Sequence, residues 1–488
     1  MREYLFSVII PVYNTEPYLR EAFDSIVNQT VGFEDNIQLI IINDGSPDNS
    51  EEICLEYKEK YPENIIYIKQ ENQGVSAARN VGIDTATGKY INFLDSDDLW
   101  ELDAFEKAGE MLDANDDIDV VGVKVINFEN REGDHILNYK FKKDKVVDIH
   151  KDFNYIQTQA APSFIRREAL SNIRFNTKLK FLEDAFFMCE VILQKEKYGV
   201  LGSSAYMYRR RNSEDSATQT RTTDIKATYI DSLETFHEGL IKLSREKDGK
   251  VIPYVQFYIA YDYQWRIKEN LEQLDEVTKT QYLEKSRELL EFVDIETILA
   301  LKKVSKDYKI ALINFKLGKD IREEFEYDGE FFYYDGIKLF DIFSQKMVVV
   351  EDITVDAGRT VIEGWFRTFL REEDYELTVL RNGKKIDVSL TDIEGSERAV
   401  FGKKYNANKK FVIELPEGGD VLLRFDIKYK TEYTETIPIV FGESIDLNAK
   451  ANSHYIKKDK IIGYADKALG IFDNNTKNRM RNKLGRLF

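Results

Sequence analysis

The chain has 488 residues, 43% hydrophobic and 12% aromatic, which fits two to four folded domains and excludes a disordered polymer. A formal net charge of -18 lacks the basic footprint that general nucleic-acid binding requires. Two cysteines, Cys54 and Cys189, and four scattered histidines form neither a disulfide framework nor a zinc spacing, and point to a reducing cytoplasm.

Phe6 to Tyr13 is apolar and β-branched and reads as a buried strand stopped by Pro11. On this reading no leader peptide is expected, and no stretch approaches the roughly 18 apolar residues of a membrane span. Asn14-Thr15-Glu16-Pro17 opens a helix with apolar positions at Leu19, Phe23, Ile26 and Val27. A second strand, Ile37 to Asn43, breaks at the turn-forming Asp44-Gly45-Ser46-Pro47, and a capped helix follows over Glu51 to Lys60. Ile65 to Lys69 is a third strand, Val75 to Thr85 a helix, and Tyr90 to Leu94 a fourth strand. Strand alternating with helix predicts an α/β, Rossmann-like layer with a mostly parallel sheet, whose ligands lie beyond the carboxyl ends of the strands. Neither Gly-x-Gly-x-x-Gly nor a Walker lysine loop is present, which argues against a dehydrogenase or a P-loop NTPase.

The fourth strand runs into Asp95-Ser96-Asp97-Asp98. Asp97 or Asp98 would cap a helix from about Leu99 to Leu112, or the acids present hard oxygens to a divalent cation bridging phosphates. Asp119 to Val125 is a further strand, residues 127–150 a polar excursion, and Gln159 to Arg167 a strand before a helix at Glu168. Glu183-Asp184 begins another helix, where the acids either complement the helix dipole or supply a base. Arg209-Arg210-Arg211 precedes a Ser/Thr-rich segment, fit either for a lid over a diphosphate or for a solvated linker. From Thr223 to Leu317 the apolar period is helical, and the aromatic stretch Tyr254 to Trp265 reads as core packing in preference to a sugar platform. Beyond Arg322 short strands and an Asn382-Gly383 hairpin predict an antiparallel sandwich, suited to binding polymer or to self-association. Thr476 to Phe488 is basic with terminal apolar residues, fit for an anionic membrane surface or a frayed terminus.

VIIPVYN, INDGSPDNS, NQGVSAARNVG and FLDSDD, in this order and spacing, resemble the family 2 glycosyltransferases with the GT-A fold, over about residues 4–220. The resemblance implies that Pro11, Tyr13 and Asp44 hold the uracil and ribose of a UDP-sugar, with Asn14 in the nucleotide-sugar site and Arg79 facing the nucleotide. It implies that Asp95, Ser96 and Asp97 form the DxD site, Asp97 with Asp95 binding Mn2+ or Mg2+ on the diphosphate. Asp184 would be the catalytic base of an inverting displacement, with Glu183 orienting the pocket, and Arg211 and Ser216 would reach the diphosphate. In plan the chain is similar to wall teichoic acid glycosyltransferases of Gram-positive bacteria: a GT-A domain over 1–222, a helical connector over 223–321, a β-rich accessory domain over 322–450 and a basic tail over 451–488. The acceptor implied is a polymeric or lipid-linked glycan such as teichoic acid or capsule. Peripheral membrane contact would run through the tail, and homo-oligomer formation through the β-domain. A nucleotidyltransferase on a related fold and a catalytically silent glycan-binding scaffold are the alternatives.

Overall fold

In the computed structural model, β1 (Phe6–Val12) is an inner strand whose residues are all buried except the half-buried Pro11. The structure describes residues 3–130, 132–211, 225–269, 271–341, 348–356, 359–397, 399–405, 407–416, 423–430, 433–437 and 439–441. The expected roles of Ser216 and of the basic tail therefore lie outside the described residues. The chain divides into two compact units, Met1–Val304 and Ser305–Phe488.

In the first unit β1 is followed by α1 (Glu16–Val27), α2 (Phe33–Asn36), β2 (Ile37–Asn43), α3 (Ser50–Lys60), β3 (Ile65–Lys69), α4 (Val75–Thr85) and β4 (Tyr90–Phe93). Next come β5 (Leu99–Trp100), α5 (Ala104–Asp113), β6 (Val120–Glu129), β7 (Gly133–Asp134), β8 (Lys145–Asp148), β9 (Ser163–Arg166), α6 (Glu183–Lys195) and β10 (Lys197–Arg210). The strands form one sheet in the order β3-β2-β1-β4-β9-β6-β10-β5, with β7 on β6 and β8 on β10. β3, β2, β1 and β4 are mutually parallel; the apolar runs of β1, β2 and β4 are buried, as inner strands of such a sheet are, and β3 is the more exposed edge. β9 enters antiparallel between β4 and β6, and β10 lies parallel to β6. The sheet is thus mixed, with its parallel part at the N-terminal side, as expected of an α/β GT-A-like fold.

Three local expectations are corrected. Pro11 does not stop β1, which reaches Val12. Pairing with β4 ends at Ile9–Phe93, so the proline, which has no N–H to donate, faces no partner on that side. The helix expected from Leu99 begins only at Ala104, because Leu99 and Trp100 pair with Met207 and Tyr206 of β10 and hold the chain extended. Neither Asp97 nor Asp98 is therefore a helix cap. The polar excursion is also structured: after β7 it forms a 3-10 helix, Ile136–Lys140, and then β8.

The helical stretch opens with two π-helical turns, Ala227–Asp231 and Leu233–His237. It continues as α7 (Glu238–Asp248), α8 (Pro253–Arg266), α9 (Glu276–Leu290) and α10 (Ile295–Leu299), all in the first unit. On α8, Tyr254, Phe257, Tyr258 and Tyr263 are buried and only Trp265 stands out at 44% exposed, so the aromatic stretch is core packing. Among the described residues no helix is long and apolar enough to cross a membrane.

The second unit starts with α11 (Lys306–Leu317), and its described residues go on to form two 3-10 turns, Ile321–Glu324 and Glu372–Asp374, and short sheets of three, five, four and two strands. Phe411 meets Phe425 at 5.2 Å and Phe366 meets Tyr375 at 5.7 Å, joining the inner faces of the five- and four-stranded sheets as a sandwich. One pair departs from the antiparallel expectation: Val348–Val350 runs parallel to Ile439–Phe441. The Asn382-Gly383 hairpin forms as read, both residues at positive φ between Arg381 and Lys384.

Candidate active site

Arg79 lies on α4, at the carboxyl ends of the parallel strands, with only 4% of its side chain exposed. Its Nη2 donates to Asp95 Oδ1 at 2.8 Å and its Nη1 to Asp184 Oδ1 at 2.6 Å, while Glu183 Oε1 is 3.8 Å from Nη1. The guanidinium lies 5.2 Å from the ring of Phe175, which stacks on Phe187 of α6 at 3.9 Å. Leu182 adopts φ 67°, the left-handed turn that starts α6 and places Glu183 and Asp184 in its first turn. Asp184 Oδ2 also accepts from the Ala160 N–H at 3.1 Å.

One guanidinium thus faces three carboxyl groups. Burial lifts the Asp184 carboxyl above its ordinary value, with Arg79 pulling it down and Asp95 pushing it further up. Burial, then the neighbouring Asp184, lifts Glu183 to about 7. Burial also opposes the charge on Arg79, but Asp184, Asp95 and Glu183 outweigh it and hold the guanidinium cationic.

The other two acids of the loop turn towards β10. Arg211 contacts Asp97 Oδ2 through Nη2 at 2.5 Å and Nε at 2.7 Å. Asp98 is buried, accepting from the Tyr206 hydroxyl at 2.8 Å and the Arg209 N–H at 2.7 Å. Burial raises both carboxyls; for Asp98 the charges of Asp97 and Asp95 add to the rise, and for Asp97 the pull of Arg211 opposes it. Asp95 and Asp97 offer the hard oxygens that Mg2+ or Mn2+ takes, and a cation would relieve this crowding, so the donor set fits such an ion. Among the described residues no group of three or more metal-type ligands is gathered, so such an ion would draw further oxygens from water or phosphate.

At the end of β1, Tyr13 is 50% exposed, and Asn14, at φ 53°, donates its N–H to Ser46 Oγ at 3.3 Å. Ser96 is buried and its Oγ accepts from Thr15 Oγ1 at 2.9 Å. Pro11, Tyr13, Asn14, Asp44 and Ser96 therefore border the ends of β1, β2 and β4, which are neighbours in the sheet. Asp44 does not stand open: Oδ1 accepts from Gln70 Nε2 at 2.7 Å and Gln73 N–H at 2.9 Å, and Oδ2 from Gly74 N–H at 2.8 Å. Its carboxylate shapes the loop that enters α4. Asp98, expected as a helix cap or a cation ligand, and Arg209, expected in a lid, instead meet in one buried hydrogen-bonded group with Tyr206, which no motif marks. The one signal for this group was the third acid of FLDSDD, a carboxylate placed directly after a buried strand.

The family described as Glycosyl transferase family 2 matches residues 7–174. Over 486 residues the chain is 35% identical to the minor teichoic acid biosynthesis protein GgaB of Bacillus subtilis (strain 168), covering 98% of this chain and 54% of GgaB. It spans about half of that relative's length. The minor teichoic acid biosynthesis protein GgaA of the same organism is 35% identical over 303 residues, 60% of this chain and 68% of GgaA. Among solved structures, S. aureus TarS gives a TM-score of 0.55 at 17% identity over 90% of this chain and 78% of that one. TarS 1–349 in complex with UDP-GlcNAc gives 0.51 at 19% identity, covering 69% of this chain and 98% of that one. At this identity the likeness is one of fold.

Proposed function

The chain belongs to glycosyl transferase family 2, and from that premise we propose that it moves a sugar from a UDP-sugar to a hydroxyl of a teichoic acid or similar cell-surface polymer, inverting the anomeric centre with a divalent cation bound. The observation that carries the proposal is Arg79, whose guanidinium touches Asp95 on one side and Asp184 on the other. The names of GgaB and GgaA support teichoic acid as the acceptor, and the UDP-GlcNAc complex of TarS supports a UDP-sugar as donor.

On this reading Asp184 accepts the proton of the acceptor hydroxyl as that oxygen attacks the anomeric carbon, and the bond to the diphosphate breaks with its electron pair leaving on UDP. Arg79 opposes the effect of burial on Asp184 and so favours the ionised carboxylate the task needs. Glu183, with a carboxyl near 7, is able to donate a hydrogen bond to the sugar or acceptor. On the same reading Pro11, Tyr13 and Asp44 would take uracil and ribose, Asn14 and Ser96 would belong to the nucleotide-sugar site, and Arg211 would reach the diphosphate. Held by Asp97 with Asp95, Mn2+ or Mg2+ would supply Lewis-acid stabilisation of the departing diphosphate. Cys54 and Cys189 are free and buried, which supports a reducing, cytoplasmic setting. The test is to incubate the chain with UDP-GlcNAc and other UDP-hexoses on isolated teichoic acid, with Mn2+ or EDTA, and to read the new linkage by NMR. An inverted linkage formed only with metal is expected; a retained configuration, or equal transfer in EDTA, contradicts the proposal.

A further inference from the structure

The base candidate is reached from below by a hydrogen-bonded relay from two segments outside the parallel layer. Ala160, which donates to Asp184, sits in a stretch of irregular backbone, 156–162, leading into β9. That stretch is tied internally: Gln157 Nε2 donates to the Gln159 carbonyl at 3.1 Å and to Ser163 Oγ at 3.0 Å, and Ser163 Oγ donates to the Gln159 carbonyl at 3.0 Å. From the polar excursion, Lys140 Nζ donates to Gln157 Oε1 at 2.6 Å and to the Ile156 carbonyl. From α8, the Tyr258 hydroxyl donates to the Gln157 carbonyl at 2.6 Å. Space for Gln157 exists because β6 carries glycine at 122, where a Cβ would lie 2.7 Å from Gln157 Oε1.

Lys140 is 2% exposed, and burial alone pulls its amine far below the ordinary lysine value, with no carboxylate compensating. A buried lysine without a counter-charge is unfavourable for folding unless its donors are used, and here they converge on Ile156 and Gln157. Tyr258 is likewise fully buried with its hydroxyl on the same residue. Two buried polar side chains from separate segments thus fix one loop, whose next polar contact is with Asp184.

We propose that Lys140 and Tyr258 are positioning residues for transfer, acting through Gln157 and the Ala160 N–H to set the orientation of the Asp184 carboxylate. The helical stretch then helps to form the active site in addition to packing beside it. The inference rests on the reading of Asp184 as base. Its test uses the full chain with the UDP-sugar panel and teichoic acid, comparing Tyr258→Phe, Lys140→Met, Asp184→Asn and the Tyr258→Phe/Asp184→Asn double variant. Tyr258→Phe removes one oxygen and keeps the ring; it is expected to lower kcat about tenfold, leave KM for the donor unchanged, and have no further effect in the Asp184→Asn background. Hydrogen exchange, which needs no turnover, is expected to show faster exchange at Ala160 in Tyr258→Phe with α6 unchanged. Unaltered exchange, an unaltered kcat, or an effect that persists in the Asp184→Asn background overturns the proposal; Lys140→Met failing to fold would leave all three readouts of Tyr258→Phe intact. Wild-type turnover by Asp184→Asn would instead overturn the base assignment itself, and this inference with it.

Discussion

Glu183 illustrates how much of this site is decided by single side chains. Its carboxyl is lifted from 4.5 to about 7 by burial and by Asp184, so between those values the folded chain binds a proton that the unfolded chain has released. Stability must therefore fall as pH rises through that window, by up to about 3 kcal/mol at ~1.36 kcal/mol per unit. Glu183→Gln cannot release a proton, and urea midpoints at pH 5 and pH 8 should differ less in the variant than in the wild type; equal differences would show that Glu183 does not titrate as described. The acids and Arg79 were legible as motif residues. Their meeting was not, because Arg79 and Asp184 stand 105 positions apart and only the fold brings them within a hydrogen bond. The engagement of Asp44 with the loop into α4 was also hidden, since Asp-Gly reads equally well as a turn.

At the scale of elements, the helix carrying Arg79 is seated by a glycine. A Cβ at Gly82 would lie 2.2 Å from Ile9 Cγ2, so α4 lies directly on β1. Gly82→Ala must push the helix away or distort the buried strand, an overpacking that typically destabilises by about 1–3 kcal/mol. Urea denaturation should show that loss, and transfer should fall with it because Arg79 moves too; a variant as stable as wild type would mean that the contact relaxes without strain. The parallel strands and α4 were legible because their apolar runs and turn residues are local signals. The start of α5 was not: Leu99 and Trp100 are apolar enough for a helix, and only pairing with β10, a hundred residues away, makes them a strand. The sequence of the excursion over 127–150 is polar, and nothing local in it marks Lys140 as buried.

Across the whole molecule, every described candidate residue lies in Met1–Val304. Short alternating strands and the Asn382-Gly383 turn made the sandwich of the second unit legible, whereas the parallel pairing of Ile439–Phe441 follows from chain routing that no local pattern encodes. Whether Asp184 activates the acceptor hydroxyl is decided by UDP release from the UDP-sugar panel with teichoic acid and Mn2+, comparing wild type with Asp184→Asn while UDP binding is followed by calorimetry. The variant is expected to bind UDP as the wild type does and to lose turnover by about 10²–10⁴-fold. Turnover preserved in the variant, or a wild type that neither binds UDP nor releases it from any donor, would contradict that role.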